Sequence, residues 1–154
     1  VLDADGINAL AGHMDEWERR RGRVTVLTPH EGEFLRVGGD LSQGRTAAAT
    51  EFAHQSGAVV VLKGPGTVVA GPDGRCRVNT TGNCGMAKGG SGDVLSGVVL
   101  ALLGLGMDAF DACCCAVWLH GRAGDLAAQE KGQWGMTPTD LLERLPQALR
   151  EVTE

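Results

Sequence analysis

No apolar run in this 154-residue chain approaches the roughly 20 residues that a membrane-spanning helix needs, and the longest, Val98 to Leu105, is already interrupted by Gly104. No basic segment exceeds Arg19-Arg20-Arg21 with Arg23, and the net charge is −5. A nucleic-acid partner is therefore not expected, and the arginine group reads as a solvated loop or helix end. Metal-ligand and disulfide spacing is lacking as well. Cys113, Cys114 and Cys115 are consecutive; on a helix neighbours point about 100° apart, so they cannot all reach one ion and read as small packing residues. Cys76 and Cys84 stand eight apart, too far for a zinc-ligand pair. An odd number of thiols, five in all, points to a reducing compartment, and a cytoplasmic location is expected. No charged-then-apolar leader is visible, so a secretion signal is not expected. The chain opens at Val1 within a strand-like run, for which a fragment or processed product is one reading.

What is present fits one globular domain with a real core, since 43% of residues are apolar and 21% charged. Val1 to Asp3, Val24 to Thr28 and Val59 to Lys63 are short β-branched runs, each followed by punctuation and then a helical pattern. That alternation predicts an α/β fold with a mostly parallel central sheet flanked by helices. Helices are predicted over Asn8 to Arg20, from Thr28 through Val37, and over Thr46 to Gln55 with Gly57 as the stop. Thr28-Pro29-His30-Glu31 has the spacing of a capping box with proline at the first helical position. Gly71-Pro72-Asp73-Gly74, between Thr67 to Ala70 and Arg75 to Asn79, predicts a β-hairpin. Two long helices, Asp93 to Leu103 and Ala109 to Leu126, precede a last one capped at Thr137-Pro138-Thr139-Asp140.

The stretch Gly85-Met86-Ala87-Lys88-Gly89-Gly90-Ser91-Gly92-Asp93 carries the most chemistry. Glycines around a serine leave backbone N–H groups able to converge on an anion, and the following helix adds its positive dipole end. Asp93 repels a phosphate, so its presence makes sense if it takes a proton from the group that attacks one. A flexible turn with Asp93 as an ordinary first-turn residue is the alternative. In open parallel sheets, ligands gather at the carboxyl ends of strands. Asp3 and Asp5, His30 and Glu33, and Lys63-Gly64-Pro65-Gly66-Thr67 fall at such ends, where they suit a nucleotide and a polar substrate. Taken singly each has a plainer role: a capping or surface histidine, strand-ending aspartates, a β-branched strand threonine.

Five segments occur here in the order found in ADP-dependent NAD(P)H-hydrate dehydratases of the ribokinase-like superfamily, which this chain resembles from Val1 to about Leu149. They are Val1-Leu2-Asp3-Ala4-Asp5-Gly6-Ile7-Asn8-Ala9-Leu10, Thr28-Pro29-His30-Glu31-Gly32-Glu33, Lys63-Gly64-Pro65-Gly66-Thr67, Asn79-Thr80-Thr81-Gly82-Asn83 and Gly89-Gly90-Ser91-Gly92-Asp93. Leu119-His120-Gly121 through Ala123-Gly124-Asp125 belongs to the same likeness. The resemblance implies a repair lyase that dehydrates hydrated NADH or NADPH while ADP becomes AMP and phosphate, with Mg²⁺. It implies His30 and Asp93 at the hydrated nicotinamide nucleotide, with Asp93 as base. Lys63, Gly64, Pro65, Gly66, Thr67 and Gly92 would lie along the adenine nucleotide. Gly89, Gly90, Ser91 and Gly92 would form the anion hole, and Glu33 would stand at the metal side.

The resemblance further implies that residues 1–154 are the C-terminal portion of one such domain, its N-terminal strands absent. An exposed sheet edge of that kind invites pairing with another chain, and a homo-oligomer, up to a tetramer, is expected. Relatives often carry threonine where Lys88 stands; an added cation there either alters nucleotide affinity or faces solvent. A vitamin-precursor kinase of the same superfamily and an inactive nucleotide-binding domain remain the alternative functions.

Overall fold

The computed structural model describes residues 1–153, with the side chains of Met14 and Glu18 left aside. In chain order the elements are α1 (Asp5–Asn8), α2 (Met14–Arg20), β1 (Val26–Leu27), α3 (Glu31–Arg36), α4 (Arg45–Ser56), β2 (Val59–Leu62), β3 (Val68–Ala70) and β4 (Cys76–Val78). A 3₁₀ turn (Cys84–Met86) leads to α5 (Ser91–Gly104), α6 (Ala109–Gly135) and α7 (Pro138–Thr153).

The sheet runs β1-β2-β3-β4. β1 pairs parallel with β2 through Val26 to Val59 and Leu27 to Val60, while β2–β3 and β3–β4 are antiparallel. Leu2 adds a parallel bridge to Leu27, and His30 one to Lys63. The predicted hairpin is thus continuous with the sheet, which is mixed rather than mostly parallel. No helix separates β2 from β3, so the chain returns alongside itself.

Alternation across the strands divides the core. Leu27, Val60, Leu62, Val68 and Ala70 meet Ile7, Trp17, Phe34, Ala49 and Phe52 on one face. Val26, Val59, Val61 and Val69 meet Leu95, Val99, Phe110, Cys113 and Val117 of α5 and α6 on the other. Both faces are covered, as the unbroken apolar strand Val59–Leu62 requires. Leu119, Ala123, Leu126, Leu141 and Ala148 form a third cluster between α6 and α7.

Several boundaries differ from expectation. The helix predicted over Asn8 to Arg20 is two pieces, because Gly12 takes a left-handed turn at φ 80° between them. Thr28 is not a cap: it is fully buried, and its N–H and Oγ1 both bond to Leu2 O, extending the strand pairing. His30 caps α3 instead. α6 runs past Leu126 as far as Gly132, whose φ of 72° breaks the helix. Gly57, at φ 70°, ends α4 as predicted.

The three consecutive cysteines diverge as helical neighbours must, Cys113 buried, Cys114 half-buried and Cys115 exposed. Burial pushes the Cys113 thiol up to about 12 and the Cys114 thiol up to about 11, so both are inert packing groups. No described helix is long and apolar enough to cross a membrane.

The start of α7 carries a test of its packing. Asp140 Oδ2 accepts from Thr137 N and Thr137 Oγ1 at 2.8 Å each, while Lys131 reaches Oδ1. The Lys131 side-chain hydrogen bond, with those of Thr137, pulls the Asp140 carboxyl from 3.8 down to about 2. A depressed carboxyl stabilises the fold above its unfolded value, and that contribution is lost as pH falls through 3.8 toward about 2. Denaturant melts across this window are expected to show a steeper acid loss in the natural chain than in Asp140→Asn.

Candidate active site

Two parallel strand ends and one helix N-terminus meet at the site. Lys63 follows β2, and its backbone N–H donates to Pro29 O at 2.8 Å, which holds His30 beside it. His30 caps α3 through Nδ1, which accepts from Gly32 N at 3.0 Å and Glu33 N at 3.3 Å. Glu33 Oε2 closes the box by accepting from His30 N at 2.8 Å. Nδ1 is thus committed as an acceptor, and Nε2, on an otherwise exposed ring, lies 3.5 Å from Glu33 Oε1.

Lys63 Nζ lies 2.7 Å from Asp3 Oδ1 and 3.8 Å from Glu33 Oε2, while Ser96 Oγ donates to Asp3 Oδ2 at 3.2 Å. Burial pushes the Asp3 carboxyl up, but the hydrogen bond and charge of Lys63, with hydrogen bonds from Thr28 and the Ala4 backbone, together bring the net shift down. A Cβ at Gly92 would stand 3.4 Å from both Asp3 Oδ2 and Lys63 Nζ, so the first turn of α5 is seated directly on this pair. Ala4, next to Asp3, is the described non-glycine residue with positive φ, at 44°. Asp5 sits apart, exposed at the start of α1.

The glycine loop then turns into α5 at Gly90, whose φ of 97° suits glycine. Ser91 N donates to Lys88 O at 3.3 Å. The amides of Gly89, Gly90, Gly92 and Asp93 have no acceptor among the described residues. Four donors thus stand open at the positive end of a helix 14 residues long, with the Lys63 ammonium alongside. Behind them, His120 Nε2 donates to Ser91 O at 2.8 Å, and burial lowers the His120 pKa, keeping the ring neutral. Asp93 is exposed in the first turn, and its carboxylate has no partner among the described residues.

Lys88 is exposed, but its ammonium is tied down. Its Nζ donates to Trp134 O at 3.1 Å and to Met136 O, where Gly132 has broken α6. The cation satisfies helix-end carbonyls there.

Arg45, which sequence reasoning passed over, organises the Lys63 to Thr67 loop. Its Nη2 donates to Leu62 O at 2.9 Å and Lys63 O at 3.0 Å, and its Nη1 donates to Pro65 O and, at 3.3 Å, Gly66 O. Gly64, at φ 147°, comes so near that a Cβ there would lie 2.7 Å from Arg45 Nη2. Thr67 Oγ1 donates to Gly64 O at 3.0 Å. The available signal was a cation at the first position of α4, where it opposes the helix dipole and so asks for other partners.

The Asn79 to Asn83 segment is strapped to α6. Asn79 Nδ2 donates to Val117 O at 3.2 Å and Thr81 Oγ1 to Trp118 O at 3.0 Å. Asp125 accepts from Gly82 N at 2.9 Å and Asn83 Nδ2 at 3.0 Å.

This architecture defines a class before it defines a family. A solved ribokinase-like superfamily protein from Enterococcus faecalis superposes with a TM-score of 0.77 at 26% identity, over 97% of this chain and 51% of that one. The fold is therefore ribokinase-like. The family described as NAD(P)H-hydrate dehydratase matches residues 1–147, and the chain belongs to it.

Among relatives, a bifunctional NAD(P)H-hydrate repair enzyme Nnr of Thermofilum pendens is 47% identical over 158 aligned positions, covering 100% of this chain and 30% of the relative. The ADP-dependent (S)-NAD(P)H-hydrate dehydratase of Bacillus subtilis is 42% identical over 95% of this chain and 52% of its own length. A crystal structure of the ADP/ATP-dependent dehydratase from that organism, co-crystallised with ATP/Mg²⁺ and soaked with CoA, gives a TM-score of 0.79 at 40% identity. It is matched over 83% of this chain and 49% of that one. The chain thus spans between about a third and half the length of these relatives.

Proposed function

We propose that this chain carries the nucleotide-binding, phosphoryl-handling portion of a hydro-lyase that returns hydrated NADH or NADPH to NADH or NADPH, while ADP becomes AMP and phosphate. Residues 1–154 form the C-terminal portion of that domain. The observation that carries the reading is the set of open amides at Gly89, Gly90, Gly92 and Asp93, standing beside a carboxylate without a partner.

The chemistry follows from that juxtaposition. Hydroxide on the ring carbon beside nitrogen leaves poorly at neutral pH, whereas phosphate leaves well. Asp93 takes the proton of the ring hydroxyl as its oxygen attacks the β-phosphoryl group of ADP, and the bond to AMP breaks. The amides near Gly90, with Lys63, hold the charge on the migrating group. The ring-nitrogen lone pair then expels phosphate, and loss of the neighbouring proton restores the reduced ring. His30 presents its Nε2 edge to the nicotinamide nucleotide, and the Lys63 to Thr67 loop lies along the adenine nucleotide.

Mg²⁺ supplies charge neutralisation on the nucleotide phosphates. Among the described residues no group of three or more His, Cys, Asp or Glu side chains could hold a metal. Both Glu33 oxygens face donors, His30 N and Lys63 Nζ on one side and His30 Nε2 at 3.5 Å on the other. Glu33 serves the site by fixing those two residues.

The test mixes the chain with ADP, Mg²⁺ and hydrated NADH and follows the absorbance of the reduced ring. Recovery of that absorbance with stoichiometric AMP is expected. A flat trace with a phosphorylated small-molecule product would replace the lyase with a kinase. AMP binding without turnover of either substrate would leave a nucleotide-binding domain. Native mass measured on the same sample reads whether the chain assembles as a homo-oligomer.

A further inference from the structure

Besides the Lys63 to Pro29 backbone bond and the Lys63 to Glu33 contact, an arginine side chain links the two halves of the site. Arg45 spends both terminal nitrogens on four carbonyls of one short loop, and its remaining nitrogen, Nε, is buried without a hydrogen bond and stands 3.2 Å from Glu31 Oε1 as an ion pair. Glu31 is the first residue of α3, adjacent to His30 and to the amides that His30 caps. The ends of the loop are anchored, by Lys63 N donating to Pro29 O and by Asn79 N donating to Thr67 O at 2.8 Å each. Between them Gly64 and Gly66 take φ values of 147° and 63°, and apart from Arg45 the tie within the loop is the Thr67 to Gly64 hydrogen bond. Glycines in such conformations have large freedom to lose, so an external clamp decides whether the loop waits in its binding shape.

We infer that Arg45 is a positioning residue that holds the Lys63 to Thr67 loop ready for a nucleotide and, through Glu31, mechanically couples that loop to the histidine-bearing end of α3. A planar guanidinium suits this task. Its forked donors span adjacent carbonyls at fixed angles, which a lysine ammonium cannot do. Occupation of the loop by a nucleotide loads the Arg45 to Glu31 contact, and the amides of Gly32 and Glu33, which fix the His30 ring, register it. The nucleotide and the nicotinamide halves thereby act as one unit. This rests on the nucleotide reading of the loop given above.

The experiment titrates AMP, and separately inorganic phosphate, into the natural chain, Arg45→Met, Arg45→Lys and Glu31→Gln, with melting temperature recorded for each. AMP affinity is expected to fall about tenfold in Arg45→Met and by less in Arg45→Lys, while phosphate affinity at the glycine loop is kept. A general loss of folding would instead lower melting temperature and both affinities together, and Arg45→Lys then carries the comparison. In the natural chain the backbone amide resonance of Gly32 is expected to move on AMP addition, and in Glu31→Gln that movement should vanish. Undiminished AMP affinity in both Arg45 variants, or a Gly32 shift of natural size in Glu31→Gln, overturns the inference while leaving the nucleotide reading intact. Absence of AMP binding in the natural chain overturns both, and it is seen before any substitution is made.

Discussion

Replacing Asp93 by Asn is expected to reduce dehydratase turnover by at least about a thousandfold, the scale of a lost general base in a reaction where proton removal accompanies phosphoryl transfer. The substitution is close to isosteric, and Asp93 makes no hydrogen bond or ion pair among the described residues, so the fold has nothing to lose. AMP binding should be kept or tightened, because an exposed carboxylate in the first turn of α5 repels the phosphate that the neighbouring amides attract. Parallel turnover and AMP-binding measurements separate the roles. Turnover surviving in Asp93→Asn would take the aspartate out of the scheme, and loss of AMP binding would make it a binding group rather than a base.

What could be read in advance was whatever rests on local backbone chemistry. Gly57 in a left-handed cap and the Gly71-Pro72-Asp73-Gly74 turn follow from conformations that few residues tolerate, and both stand where expected. The Gly89 to Asp93 stretch is of the same kind, so its open amides were visible before the fold was. What could not be read depended on partners distant in sequence. Thr28 has the composition of a helix cap, yet Leu2, 26 positions away, claims its N–H and hydroxyl for the sheet, and His30 takes the cap with an imidazole nitrogen. Lys88 shows only a charge until the broken end of α6, 46 to 48 positions on, supplies carbonyls for it. Arg45 is the clearest case, since its importance lies in carbonyls 17 to 21 positions later and in the carboxylate of Glu31, 14 positions earlier. Asp3, legible as one of the candidate carboxylates gathered at strand ends, acquires its particular place from Lys63 and Ser96. Charges and hydroxyls were thus identifiable as candidates, but tertiary pairing assigned their roles.

The largest stability effect is expected at Gly121, where substitution by alanine should cost about 3 kcal/mol and lower the melting temperature by roughly 6–12 °C. A Cβ there would stand 2.2 Å from Thr81 Oγ1, 2.7 Å from Thr81 C and 2.8 Å from Thr81 O. Two of these atoms are backbone, and the hydroxyl is already held by Trp118 O, so no rotamer change clears the space. α6 and the Asn79 to Asn83 strap would have to separate, loosening the bonds of Gly82 and Asn83 to Asp125. Gly97→Ala makes the contrasting measurement. That glycine is exposed within α5 with nothing within 4 Å of its added Cβ, and alanine should stabilise the helix by about 0.5–1 kcal/mol. Gly124 is intermediate, since the atom in the way, at 2.3 Å, is the sulfur of Met86, a flexible side chain that can move. The order Gly121→Ala below Gly124→Ala below Gly97→Ala in melting temperature follows from what each new methyl group would strike. Equal melting temperatures for Gly121→Ala and Gly97→Ala would mean that the strap does not pack against α6. The loop that leads from this strap into the glycine turn would then have no fixed base from which to aim its amides.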